Sequence, residues 1–127
     1  MAGTIVADTI QDGAGNSTSM DNAIYGSAKA WVNFNGVTTT SIRASYNVSS
    51  VTRSGTGSYV VNFTNALSDA NYIVSGFPSR ASPTTATTSI WSVGYASAPT
   101  ASSFAICSNN YAGTFEDSYY SYIAVFR

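Results

Sequence analysis

The sequence predicts an all-β chain, an antiparallel β-sandwich-like domain of about seven strands behind an extended N-terminal segment. Three observations lead there. Residues 29–63 alternate apolar and polar side chains in three successive runs, and a period of two puts one face of a strand on a core and the other in water. Only 9% of the 127 residues are Asp, Glu, Lys or Arg, against roughly 25% in an average soluble domain. Ser, Thr and Asn take their place, which suits a pleated surface and disfavours helix. Turn signals then recur between short apolar runs to the end of the chain. A length of 127 residues is one domain's worth.

Residues 1–28 are a polar, glycine-bearing ribbon with widely spaced Ile5, Val6, Ile10, Met20 and Ile24. This ribbon cannot form its own core. It is a disordered leader, an attachment strand on another subunit, or a stem shared by several chains, and its apolar residues favour the two ordered options. Asp21 to Gly26 can make one helical turn, capped by Asp21 and ended by Gly26.

In 29–35, Ala30, Val32 and Phe34 share one face, and Lys29, Trp31, Asn33 and Asn35 the other. In 41–48 the apolar face is Ile42, Ala44, Tyr46 and Val48. Residues 53–58 (Arg-Ser-Gly-Thr-Gly-Ser) supply the glycines of a tight reversal into 58–63, whose faces are mixed. These runs form an antiparallel meander. Residues 65–71 make a turn over Leu67, and 72–77 is the fourth strand. The polar loop 78–88 leads to a fifth at 89–96, 104–108 is the sixth, and 119–127 is the last. That last run is apolar on both faces, so it is either central in its sheet or laid against another chain. With so few charges to blunt the sheet edges, a closed symmetric oligomer is expected to bury them.

Composition excludes several functions. A net charge of −1 offers phosphates no basic field, so no nucleic-acid partner is expected. No apolar run has bilayer length and residues 1–13 are not a secretory signal, so membrane insertion is not expected. Three Asn-x-Ser/Thr triplets, at Asn16, Asn47 and Asn62, are read as chance matches. The single Cys107 excludes an intrachain disulfide and reads as buried packing. The chain has no histidine, which removes His-dependent nucleophile systems and most zinc sites. Asp8, Asp12 and Asn16 lack calcium-loop spacing, and the glycines at 13, 15, 55 and 57 lack the context of a phosphate loop. Asp69 facing Glu116 would be needed for a two-carboxylate glycosidase, and nothing in the sequence brings them together. The expectation is no enzyme, no catalytic residue, no metal and no cofactor.

Aromatic residues are the richer signal, at 13% of the chain. Phe34, Tyr46, Phe63, Phe104 and Phe126 lie within strands and read as core. Trp91, Tyr95, Tyr111, Phe115 and Tyr119 lie in or beside the late loops, with Asn109 and Asn110. Flat amphipathic rings on loops of a rigid scaffold suit ligand binding. The same rings could pack the loops or a subunit interface, and the sequence leaves both open.

The string Ala28-Lys-Ala-Trp-Val-Asn-Phe-Asn-Gly36 resembles a segment recurring in bacteriophage tail-fibre and other virion fibre proteins, notably of phages of marine bacteria. The likeness takes in Thr9-Ile-Gln-Asp-Gly13, then Ile42-Arg-Ala-Ser-Tyr-Asn-Val-Ser-Ser-Val51, Gly57-Ser-Tyr-Val-Val-Asn-Phe-Thr64 and Asp69-Ala-Asn-Tyr72. The ending Ile123-Ala-Val-Phe-Arg127 shares its character. The resemblance covers about residues 8–75 and implies a β-rich distal domain of a homotrimeric fibre, located on the virion. It further implies contact with other virion proteins through 1–28 and with a host surface glycan or protein through the late loops of the fibre domain, 29–127. A capsid decoration or head-fibre subunit, and a polysaccharide depolymerase, are the alternatives. Such segments usually follow a long shaft or anchoring domain. A distal fragment or a short protein mounted directly on the particle is therefore expected.

Overall fold

A computed structural model describes residues 3–79, 89–94 and 97–127. The N-terminal ribbon forms a small hairpin, β1 (Thr9–Gln11) with β2 (Ser17–Ser19), and then a short helix, α1 (Met20–Gly26). Asp12 makes the hairpin turn: its Oδ1 accepts from the backbone N–H groups of Ala14 and Asn16, both at 2.9 Å. The helix cap differs from the expectation. Ser19, not Asp21, sits at the N-cap and accepts from Asn22 N at 3.2 Å. Asp21 instead falls in the first turn, where a carboxylate suits the helix dipole. No residue of α1 is buried.

The remaining strands, among the described residues, form two four-stranded antiparallel sheets. In the first sheet the order is β4 (Ser41–Tyr46), β3 (Ala28–Asn35), β10 (Ser121–Phe126), β7 (Ile73–Pro78). In the second it is β5 (Val48–Gly55), β6 (Ser58–Phe63), β9 (Ser103–Asn110), β8 (Ser89–Val93). The all-β, sandwich-like architecture is thus present, with eight strands in the two sheets rather than about seven. The last strand is central, flanked by β3 and β7.

The additional strand comes from residue 47. The expected run through Val48 ends at Tyr46, because Asn47 adopts φ +53° and turns the chain out of the first sheet into the second. Its side chain holds the corner, donating to Lys29 O and Asn65 O (3.1 and 3.2 Å) and accepting from Asn65 N (2.8 Å). Residues 53–55, expected in the turn, therefore belong to β5, and the reversal narrows to Thr56 and Gly57 (φ +64°).

The two sheets share one core. Ala30, Val32 and Phe34 of β3 and Ile123 and Val125 of β10 meet Tyr59, Val61 and Phe63 of β6, Phe104 and Ile106 of β9, and Val48 and Val51 of β5. Leu67 packs against this cluster as expected, and Cys107 is a buried free thiol. Two expected core rings lie elsewhere. Tyr46 is exposed, because β4 is an edge strand exposed along its whole length. Phe126 is only half-buried, because Ser121, Ile123 and Val125 take the inner face of β10. No helix among the described residues is long and apolar enough to cross a membrane.

Candidate functional site

Chain 111–120 joins β9 to β10 at one end of the sandwich, and its base is fastened by Asp117. That carboxylate accepts from Arg53 Nε and Nη2, both at 3.0 Å, and from Gly57 N at 2.8 Å. Thr38 N lies at 3.4 Å and the Tyr59 hydroxyl at 3.2 Å. Burial pushes the Asp117 carboxyl upward, but these donors outweigh it and hold it below the ordinary 3.8. Tyr59 shows the opposite balance. Buried among apolar side chains, its hydroxyl is raised well above 10. The same hydroxyl accepts from Ser118 N at 3.1 Å and lies 3.2 Å from Gly36 O. Glycines allow the close approach: a Cβ at Gly57 would stand 2.7 Å from the carbonyls of Ser108 and Glu116, and one at Gly36 would meet the Tyr59 hydroxyl at 2.5 Å.

Above this base the chain makes a tight hairpin. Asn110 Oδ1 accepts from Ala112 N and Thr114 N at 3.0 Å, and its Nδ2 donates to Glu116 Oε1 at 3.0 Å. Asn109 and Phe115 pair across the stem, and Gly113 takes φ +78°. Asn109, Asn110, Tyr111 and Phe115 therefore belong to one structural unit. Tyr111 is at its tip and 87% exposed. Loops held in this way present a ring with little ordering left to lose on binding.

The other expected site residues lie apart from it. Trp91 is turned inward against Phe34 and Tyr59, with ring centroids 6.4 and 6.0 Å away, and its buried Nε1 has no hydrogen-bond partner among the described residues. Tyr119 is half-buried on the first sheet, under the guanidinium of Arg43, which lies 4.9 Å from its ring and 4.7 Å from that of Tyr120. Arg43 Nη1 also donates to Tyr119 O at 2.8 Å. Tyr95 lies outside the described residues. One tip residue and its hairpin are thus assembled, and the wider aromatic cluster is not.

The carboxylates are also separated. Asp69 is paired with Arg127, which follows β10, whereas Glu116 precedes β10 and bonds Asn110. The two stand at opposite ends of a six-residue strand, about 20 Å long at 3.4 Å per residue. Among the described residues no group of three or more His, Cys, Asp or Glu side chains could hold a metal ion.

Sequence reasoning missed the Arg53–Asp117–Tyr59 network, whose members are distant in the chain and carry no local spacing signal. It also missed the exposed aromatic face of the first sheet. Trp31, grouped with Lys29 and the asparagines on a polar face, was the available signal. No protein-family model, curated protein or solved structure matches the chain.

Proposed function

We propose that this chain is a non-enzymatic attachment domain of a phage virion fibre. In this reading it acts as a homotrimer on the particle surface and adsorbs to a host surface glycan or protein. The observation that carries the reading is the 109–116 hairpin, which projects an almost fully exposed Tyr111 from a base fastened by Asp117, Arg53 and Gly57. A rigidly held aromatic beside amide groups is a fitting contact for a sugar face or a protein surface. The exposed Ile5, Val6, Ile10, Ile24 and Tyr25 of the N-terminal segment suit attachment to another virion protein. The separation of Asp69 from Glu116 and the engagement of Asp117 by Arg53 support a role without hydrolysis.

An array of bacterial surface polysaccharides, probed with the fluorescently labelled chain and with Tyr111→Ala, tests this reading. Saturable binding to a subset of glycans, lost in Tyr111→Ala, is the expected result. Glycan hydrolysis would return the depolymerase, and no binding to any surface component would leave a structural role. A structural virion subunit is the second reading, favoured by the exposed aromatic face of the first sheet.

A further inference from the structure

The outer face of the first sheet is built from side chains that strand pairing sets in rows. Tyr46, Trp31, Ala124 and Ser75 stand side by side across the four strands, and the next row is Ala44, Asn33, Tyr122 and Phe77. Ile73 pairs with Phe126 at the end of β7. The exposed fractions are 58% for Tyr46, 40% for Trp31, 47% for Tyr122, 76% for Phe77 and 69% for Ile73. At roughly 150–250 Å² for a fully exposed ring, these five leave on the order of 500 Å² of mostly apolar surface in water. That is at the upper end of what a monomer shows, and more than half of the roughly 800 Å² per partner in an ordinary stable interface.

Charge is absent from the middle of this face and present around it. Strands β7 and β10 contain no charged residue. Lys29 directs its ammonium to Ile24 O and the Ser27 hydroxyl, Arg43 covers Tyr119 and Tyr120, and Arg127 is paired with Asp69. Lys29 and Arg127 stand at strand ends, and Arg43 stands on the edge strand β4, where its Nη1 also lies 3.4 Å from Asn33 Oδ1. An apolar centre inside a polar rim is the anatomy of a protein interface, and homomeric interfaces are its most apolar class. A shallow groove of about 420 Å³ between Trp31, Tyr122 and Phe77, over Gly76 and Ala124, offers a ring from a facing surface a seat.

We infer that this face is the surface through which copies of this chain associate. A second copy is the occupant the chemistry favours. It brings an equally uncharged face, so no like charges are forced together, and its projecting Phe77 and Tyr46 match the groove. A glycan needs convergent hydrogen-bonding groups, and this face provides little beyond Asn33 and Ser75. The inference rests on the self-association in the proposed fibre reading and adds the surface that mediates it.

The test is light scattering of the whole chain at about 50 μM, with thermal unfolding measured on the same samples. Phe77→Lys and Tyr46→Lys place a charge on the face at exposed positions of the two edge strands, where little packing is lost. The expected wild-type mass is a multiple of 13.3 kDa, falling to a single chain in both variants with unfolding still cooperative. If Phe77→Lys fails to fold, Tyr46→Lys decides alone. A wild-type monomer overturns the inference, as does an oligomer that both variants leave intact. A monomeric wild type whose polysaccharide binding is lost in Phe77→Lys overturns it too, and gives the face to a sugar. Polysaccharide binding separates the two claims. A monomer that binds through Tyr111 keeps the attachment reading without the interface, and an oligomer broken by Phe77→Lys that binds nothing keeps the interface without attachment.

Discussion

Arg53 and Asp117, separated by 64 positions in the chain, form a two-pronged ion pair with both N–O distances at 3.0 Å. The pair ties the β5–β6 turn to the late loop, so the sandwich and the exposed Tyr111 hairpin share one fastening. Removing the carboxylate takes the acceptor from Gly57 N and the counter-charge from Arg53 in a mostly buried place, and leaves the Tyr59 hydroxyl only Gly36 O to donate to. Asp117→Ala is therefore expected to cost about 3 kcal/mol and to lower Tm by roughly 10 °C, read by thermal unfolding at neutral pH.

The same group gives an acid dependence. Its folded value lies below the ordinary 3.8, so between the two values the unfolded chain binds the extra proton. The stabilisation is present above about pH 4 and is lost as pH falls through the folded value. Asp117→Asn should be less stable than wild type at pH 7 and lose less stability between pH 5 and pH 2. Denaturant midpoints across that range check this. Some dependence remains in the variant, because Arg127 holds Asp69 down to about 2 in a more exposed, better screened place.

Tyr59 gives the alkaline counterpart. Its hydroxyl is raised above the ordinary 10.0, chiefly by burial, so above that value the unfolded chain releases a proton that the folded chain keeps. Stability should fall as pH rises past about 10. Tyr59→Phe should show a shallower fall, at a cost of about 1–2 kcal/mol near neutrality from the lost hydroxyl contacts. Alkaline denaturation of the two proteins makes the comparison.

Asn47 controls the passage between sheets. Asn47→Ala loses three side-chain hydrogen bonds and places a Cβ residue at φ +53° with no local compensation. A loss of about 2–3 kcal/mol is expected. Asn47→Gly relieves the backbone and should recover about 1 kcal/mol of that in the same unfolding measurement, with the hydrogen-bond share still missing.

The strands were legible where one face is apolar and the other polar. Ala30, Val32 and Phe34 alternate with polar neighbours, and all three are buried. Period two could not say which face lies inward once both carry rings, as in β10, where Ile123 and Val125 are buried and Tyr122 is exposed. Nor could it find the corner at Asn47, because one left-handed residue held by distant backbone groups leaves the alternation on either side undisturbed. Trp91 sits beside a polar loop in sequence, yet its ring faces Phe34 of the other sheet and Tyr59 two strands away in its own. That contact depends on how the sheets stack, which no local pattern carries. Within the site, Asn110, Tyr111 and Phe115 were legible as a loop-borne group. The Asp117 base beneath them depends on partners about sixty positions away.

The most direct measurement is binding of the labelled chain to intact cells of a panel of marine bacteria, with wild type, Tyr111→Ala and Phe77→Lys compared in parallel. The attachment account predicts saturable wild-type binding to some strains, loss of at least tenfold in Tyr111→Ala with its stability unchanged, and weaker binding in Phe77→Lys through lost multivalency. Wild-type binding that Tyr111→Ala leaves intact, or no binding to any strain, would contradict it.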